Sequence, residues 1–445
     1  MLERTSLELL SSALERLEKG FSLPKQHQSD LPEMEKILES VADRMQDNYP
    51  YFHPLFAGQM LKPPHPVAKA AYMLALWINP NNHALDGGKA SSKMEKEVVQ
   101  DLATMIGWEE HLGHLTGGGT LGNLEALWIA GKLHPGKKIV GSTQAHYTHQ
   151  RISEVLKLDY TSVASDSNGK MNLTLLEAQL KEGGIGTVIC TVGTTGLGTV
   201  DPLDELLVLQ KEYGFRIHAD AAYGGYFALC DELAPSTRKK YDCLEQVDSI
   251  VIDPHKHGLQ PYGCGCILFK DPEVAKFYIH DSPYTYFTSD DLHLGEISLE
   301  CSRAGASAVA LWATHQLLPP KRNGDFAAHL SKSLRAAQQL YQKLDEHPSF
   351  RPIIKPETDI VVWTLNGTNT TEMSKRALAF FAKAESNQLY LSQYKYPTSQ
   401  LSEDDFNINS DVLICLRSCL MKPEHLDWLK EIWRLLILSL PGENS

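Results

Sequence analysis

Four segments of the chain carry residue types whose spacing suits chemistry. In Leu115-Thr116-Gly117-Gly118-Gly119-Thr120, glycines run into a helical stretch, Leu121 to Leu133, with Leu121, Leu124 and Trp128 on one face. Glycines at a helix start let backbone N–H groups approach an anion closely, and the helix N-terminus adds its partial positive charge. Thr120 adds a hydroxyl. No lysine follows at the G-x-x-x-x-G-K-[ST] spacing, so this is not a nucleotide P-loop; a plain tight connection is the alternative. In Ile217-His218-Ala219-Asp220-Ala221-Ala222-Tyr223-Gly224-Gly225, an acid closes a buried strand and small residues clear space beside it for a flat ligand. Open α/β sheets bind ligands at that strand edge, although an Asp there can also cap a helix. In Ser249-Ile250-Val251-Ile252-Asp253-Pro254-His255-Lys256-His257-Gly258, a lysine stands between two histidines directly after a buried strand. Two neighbouring imidazoles and partial desolvation are expected to favour the neutral amine, the form that condenses with an aldehyde; an exposed loop lysine is the alternative. In Gln144-Ala145-His146-Tyr147-Thr148-His149, a histidine in a strand-to-helix loop can stack on a planar cofactor, bind a metal, or merely cap.

Together these are the parts needed to hold pyridoxal 5′-phosphate. Lys256 captures the aldehyde, Asp220 keeps the pyridine nitrogen protonated, and Gly118, Gly119 and Thr120 face the phosphate. The protonated ring is an electron sink for carbanion chemistry at a substrate α-carbon. A buried carboxylate beside the ring nitrogen stabilises its proton by charge pairing.

The elements that position these residues are read from the hydrophobic pattern. Candidate strands are Lys138 to Gly141, Thr187 to Val192, Arg216 to Ala219, Ser249 to Ile252 and Gly265 to Phe269, with helices between the earlier ones. Their continuous apolar character predicts a mostly parallel sheet covered on both faces, and the last pair, with no helix between, predicts an antiparallel edge. The segment Gly295 to Leu318 reads as one long helix ended by Pro319 and Pro320. Beyond it, helices Ala327 to Leu344, Met373 to Ala384 and Pro423 to Leu438, and strands Ile360 to Leu365 and Val412 to Leu416, make a smaller α+β pattern. The expected organisation is an N-terminal helical arm (1–66), a large cofactor-binding domain (67–320) and a small C-terminal domain (321–445).

The chain has 445 residues, 42 Lys plus Arg against 55 Asp plus Glu, and a formal charge of −13. That acidic balance argues against nucleic-acid or anionic-membrane partners. The 8 cysteines fall mostly in apolar runs rather than at a disulfide-scaffold spacing, which fits reduced thiols. No stretch approaches the ~20 uninterrupted apolar residues of a membrane span, and the charged N-terminus does not read as a signal peptide. The expected location is the cytoplasm. His111 and His114, with Glu109 and Glu110, lack a third ligand at a convincing spacing and read as a chance surface loop, so no metal is expected. Cys264 and Cys266 alternate across a strand and read as core.

The segments TGGGTLGNLEAL, STQAHYTH, TVGTTGLGTVDPL, HADAAYGG and DPHKHGLQPYGCG, in this order, resemble the group II pyridoxal-phosphate decarboxylases, among them the aromatic-amino-acid, glutamate and archaeal aspartate/tyrosine enzymes. The resemblance spans roughly Tyr51 to Lys430. It implies an α/β, aminotransferase-like fold of type I, an obligate homodimer with a shared active site, and decarboxylation of an aromatic or acidic L-amino acid to the amine and CO₂. It further implies that Lys256 is the Schiff-base lysine, Asp220 the partner of the ring nitrogen, His146 the stacked histidine, Ala222 the small residue on the opposite face, and Thr195 a polar contact. Gly118, Gly119, Thr120 and His255 match phosphate-side positions, and Arg417 falls near an arginine that grips the substrate carboxylate. A tyrosine on a loop supplies a proton in the family; here Tyr284 and Tyr286 both fall in the matching stretch. Many members carry Trp after the lysine, where this chain has His257. A carbon–carbon lyase, a decarboxylating aldehyde synthase and a cofactor-free regulatory paralogue are the alternative outcomes of the same scaffold.

Overall fold

The computed structural model describes residues 4–21, 31–279 and 293–440. Seven strands form one sheet: β1 (Leu112–Thr116), β2 (Lys138–Ser142), β3 (Tyr160–Val163), β4 (Ile185–Thr191), β5 (Arg216–Asp220), β6 (Ser249–Ile252) and β7 (Gly265–Phe269), in the order β1-β7-β6-β5-β4-β2-β3. Strands β2 to β6 pair in parallel, and β7 is antiparallel to both of its neighbours. Every residue of β4, β6 and β7 is buried, which is why they read as unbroken apolar runs. Helices Gly119–Leu133, Thr148–Leu156, Leu173–Glu182 and Leu203–Tyr213 fall between the parallel strands.

Two strands of this sheet escape the pattern. In β1, Gly113 and His114 interrupt the apolar run. The glycine is required, since a Cβ there would lie 2.5 Å from Leu268 Cδ2 and 2.6 Å from the Ile267 carbonyl on β7. His114, expected on a surface loop, is instead buried in β1, with Nε2 2.9 Å from Glu125. Strand β3 is a partly exposed edge and shows no continuous hydrophobicity.

The expected long helix from Gly295 is also corrected. A short 3₁₀ turn covers Leu294–Ile297, and the α-helix starts only at Gly305, running to Leu317. Tertiary contacts pull the intervening chain out of helical shape: Asn82 N–H donates to the Arg303 carbonyl (3.0 Å), and Gly305 N–H to that of Pro80 (2.9 Å). The Arg303 guanidinium is buried on Glu95 at 2.7 Å.

A second, antiparallel sheet contains β8 (Phe350–Pro352), β9 (Ile360–Leu365), β10 (Ser392–Pro397) and β11 (Val412–Cys419), ordered β10-β11-β9-β8. Helices Asp325–Asp345, Thr370–Ser386 and Glu424–Leu438 accompany it. Its apolar cluster is separate from that of the large sheet, with Trp363 edge-on to Phe350 at 5.2 Å and to Phe380 at 5.4 Å. At the N-terminus, helix Arg4–Glu18 packs on helix Pro66–Leu76, whereas helix Leu31–Met45 exposes Met34, Ile37, Leu38, Val41 and Met45, an apolar stripe at helical spacing.

Candidate active site

The C-terminal ends of β1, β2, β4, β5 and β6 converge on one cavity of about 480 Å³, within the range of small-molecule sites. Nine residues singled out from the sequence lie on its wall: Gly118, Gly119 and Thr120 after β1; His146 after β2; Thr195 after β4; Asp220 and Ala222 at the end of β5; His255 and Lys256 after β6. Arg417 is not on the wall. It stands behind Thr195, whose carbonyl accepts from Nη1 at 2.7 Å, while Nε donates to Ser392 Oγ at 3.1 Å. Tyr284 and Tyr286 lie outside the described residues.

Asp220 is the last residue of β5 and almost fully buried. Oδ2 accepts from His149 Nε2 at 2.8 Å, and Oδ1 from the Ala222 N–H at 3.2 Å. Burial by itself would raise this carboxyl, but the hydrogen bond and charge of His149, with the charge of Lys256, outweigh it and hold Asp220 well below the usual carboxylate range. His218, also on β5, is fixed by Ser249 Oγ (2.9 Å) and Asn123 Oδ1 (2.8 Å), and burial pushes it down to about 3. It is a neutral spacer behind the acid.

Lys256 owes its position to a turn. Pro254 fixes the backbone after β6, Lys256 N–H donates to the Asp253 carbonyl at 2.9 Å, and the two side chains then meet, Nζ to Oδ2 at 3.2 Å. The expectation that two imidazoles flank this amine is corrected for His257 alone: His255 Nε2 lies 3.5 Å from the same Asp253 Oδ2 that Lys256 meets. His255 turns to the glycine-rich side, with Nδ1 donating to the Cys264 carbonyl at 2.8 Å, and burial lowers its basicity. His257 points into a separate buried cluster on Asp359. The charged neighbour of the lysine is a carboxylate.

His146 is half-buried, and burial lowers its basicity. Its ring is steered by the next helix, Nδ1 lying 2.8 Å from Thr148 Oγ1 and 3.4 Å from the Thr148 N–H. At the other end, a Cβ on Gly119 would lie 2.8 Å from Asp253 Oδ2 and 3.2 Å from Ala222 Cβ, so the cradle keeps its shape only with glycine. The wall has the features that suit pyridoxal phosphate: a glycine-lined helix start, an ionised buried acid, a lysine, and an imidazole. In addition, Asp253 Oδ1 is buried without a protein partner among the described residues.

His149 and Asp253 are functional candidates that the sequence reading passed over. His149 sits three residues after His146, and Asp253 three before Lys256, and those short spacings were the available signals. Cys264 and Cys266 are buried as expected, and no cluster of metal-ligating side chains occurs among the described residues.

Residues 129–366 match the family described as the pyridoxal-dependent decarboxylase conserved domain. An L-tyrosine decarboxylase of Enterococcus faecium is 25% identical over 82% of this chain and 77% of its own length. An L-tyrosine/L-aspartate decarboxylase of Methanocaldococcus jannaschii is 30% identical over 61% of this chain and 70% of its own length. Among solved structures, that of Oryza sativa TDC with PLP and tryptamine superposes with a TM-score of 0.79 at 15% identity, covering 98% of this chain and 96% of that one.

Proposed function

We propose that this chain, which belongs to the pyridoxal-dependent decarboxylase family and is a pyridoxal-phosphate-dependent amino-acid decarboxylase, acts on L-amino acids with aromatic side chains in the cavity at Lys256. The observation that carries the site is the convergence of Lys256, Asp220, His146 and the glycine cradle on one cavity from four strand ends. Bound pyridoxal phosphate supplies the electron sink that receives the pair left when the α-carboxylate departs as CO₂. In this reading Lys256 holds the aldehyde carbon, and Asp220, kept ionised by His149, holds a proton at the ring nitrogen. His146 covers one ring face and Ala222 leaves room on the other. Gly118, Gly119, Thr120 and His255 meet the phosphate, with Thr195 at the cavity's β4 side.

Substrate class follows from counting cations. Every amino-acid substrate brings an α-carboxylate, and in this reading Arg417, held behind the wall on the Thr195 carbonyl, turns into the cavity to meet it. Lys256 is the only Lys or Arg on the cavity wall among the described residues, and in this reading it is committed to the cofactor. Among the described residues of this chain a second, side-chain carboxylate finds no further Lys or Arg on the wall, whereas an aromatic ring needs no charge. Tyr284 or Tyr286 delivers the proton to the α-carbon.

We read the chain as an arm (1–66), a large domain (67–320) and a small domain (321–445). It works as a homodimer, for which the uncovered stripe on helix Leu31–Met45 is the support. All 8 cysteines are free, in keeping with a cytoplasmic enzyme. No described helix is long and apolar enough to cross a membrane.

The test is CO₂ release by the cofactor-loaded protein from single L-amino acids, with peroxide and ammonia followed in the same wells. CO₂ from tyrosine or tryptophan, without peroxide and above that from aspartate or glutamate, is expected. Turnover of aspartate alone would overturn the cation argument, and CO₂ with stoichiometric peroxide would move the outcome to aldehyde formation.

A further inference from the structure

We infer that Asp359, which enters the second sheet at β9, is a positioning residue that sets the geometry of Lys256 and of the ring-facing Ala222 by clamping the residue that follows each of them. The inference rests on Lys256 being the cofactor lysine. Tyr223, next to Ala222 and itself on the cavity wall, donates its hydroxyl proton to Asp359 Oδ1 at 2.6 Å. His257, next to Lys256, places Nε2 3.2 Å from Asp359 Oδ2. His257 and Asp359 are fully buried and Tyr223 nearly so.

An ammonium can only donate, and Lys62 Nζ lies 3.5 Å from His257 Nδ1, so Nδ1 is the accepting nitrogen and the ring proton belongs to Nε2, the nitrogen on the Asp359 side. Asp359 therefore meets both loops of the active site, through a hydrogen bond from Tyr223 and an ion-pair contact with His257. Burial by itself would raise its carboxyl, but His257 and Tyr223 outweigh it and keep Asp359 below the ordinary value. The Tyr223 ring stands edge-on to His257 at 4.8 Å, which leaves the pair little freedom to separate.

Asp359 is itself held firmly. Its carbonyl accepts the Leu420 N–H at 2.8 Å. The two preceding residues engage other loops of the large sheet: Thr358 Oγ1 donates to the Gly198 carbonyl (2.9 Å), and Glu357 pairs with Lys240 (2.9 Å) and Lys170 (3.2 Å). Three consecutive residues thus dock the second sheet onto the first, and only the third reaches the chains that carry Ala222 and Lys256. This separates positioning from docking.

The substitutions are chosen on that distinction. Asp359→Asn is isosteric, but an amide can accept on one side only and turns its NH₂ toward a donor on the other. Glu357→Gln weakens docking without touching Tyr223 or His257. Cofactor-free protein is titrated with pyridoxal phosphate; visible circular dichroism of the bound cofactor and the rate of borohydride-fixed product at Lys256 are read, with thermal melting as the control. Asp359→Asn is expected to lose more than half of the dichroism and to slow fixation about tenfold, while Glu357→Gln stays within about twofold of the parent. Equal effects of the two, or none from Asp359→Asn, would overturn the inference. Should Asp359→Asn fail to fold, His257→Gln, which keeps a donor and an acceptor, should retain the parent signal and His257→Leu should lose it; the same signal from both would refute the clamp. A parent protein with no visible band would instead overturn the cofactor reading on which the inference stands.

Discussion

Replacing His149 by Leu tests whether Asp220 is held ionised by design of its surroundings. In the parent, the Asp220 carboxylate is 5% exposed and receives His149 Nε2 at 2.8 Å. Leucine fills the volume but donates nothing, so the acid keeps only the Ala222 N–H and the more distant charges. A buried hydrogen bond to a charged group contributes about 1.5–3 kcal/mol. At about 1.4 kcal/mol per unit, that loss raises the Asp220 carboxyl by one to two pKa units. The sign follows from linkage. A carboxyl depressed in the folded state stabilises the fold above its unfolded value and loses that contribution as pH falls through its folded value. Weakening the depression removes stability at neutral pH and moves the acid limb of cofactor binding toward neutrality. Urea unfolding of cofactor-free protein at pH 7 should show a loss of about 2 kcal/mol. The acid limb of the pyridoxal-phosphate dissociation constant should rise by one to two pH units, and His149→Gln, which keeps a donor, should recover part of both. Identical acid limbs in the parent and His149→Leu would refute the assignment of His149 as the group that governs Asp220.

Gly119→Ala places a Cβ 2.8 Å from Asp253 Oδ2; overpacking of about 1–3 kcal/mol should weaken cofactor binding about tenfold, measured by spectral titration. Lys256→Ala should show neither the visible cofactor band nor borohydride-fixed product, and an unchanged spectrum would remove the lysine from its role. Burial lowers Lys422 to about 7, so between there and its unfolded value near 10.5 the unfolded chain binds more protons and stability rises by about 1.4 kcal/mol per pH unit. Lys422→Met should flatten that slope in denaturant unfolding, and an unaltered slope would show that Lys422 does not carry it.

Of the strands that lead into the cavity, those of the parallel run and its antiparallel neighbour were legible. Ser249–Ile252 and Gly265–Phe269 were read to the residue because they are buried on both faces and punctuated by Asp, Pro and Gly. The antiparallel edge followed from the missing helix between them. Strand β1 was not legible, since its glycine serves contact with β7, a partner about 150 residues away, and local pattern cannot encode such an approach. For the same reason Arg303 was absorbed into a helix that its own buried ion pair with Glu95 prevents. Within the site, residue types pointed to Lys256 and Asp220, but their partners did not stand out. The His-Lys-His run suggested one shared environment, and a turn leaves His255 and Lys256 on Asp253 but sends His257 to Asp359. The acid that meets His257 comes from the second sheet, which no spacing near residue 257 announces.

Two layers of support therefore stand behind the cavity, and they differ in kind. Asp220 is set from within the large sheet, by His149 after β2 and by the His218–Asn123–Ser249 bonds, all anchored on buried strands and helices. Lys256 is set in part across the two sheets, through His257 and Asp359. Sites with no shared partner perturb free energy additively, whereas sites sharing one do not. His149→Leu and Asp359→Asn touch different layers, so their effects on cofactor affinity should add when combined. Tyr223→Phe and His257→Leu both act on the single carboxylate of Asp359, so the second substitution should cost less than it does alone. That contrast follows from where the polar contacts run rather than from sequence distance, since Tyr223 stands beside the chain of Asp220 yet bonds Asp359.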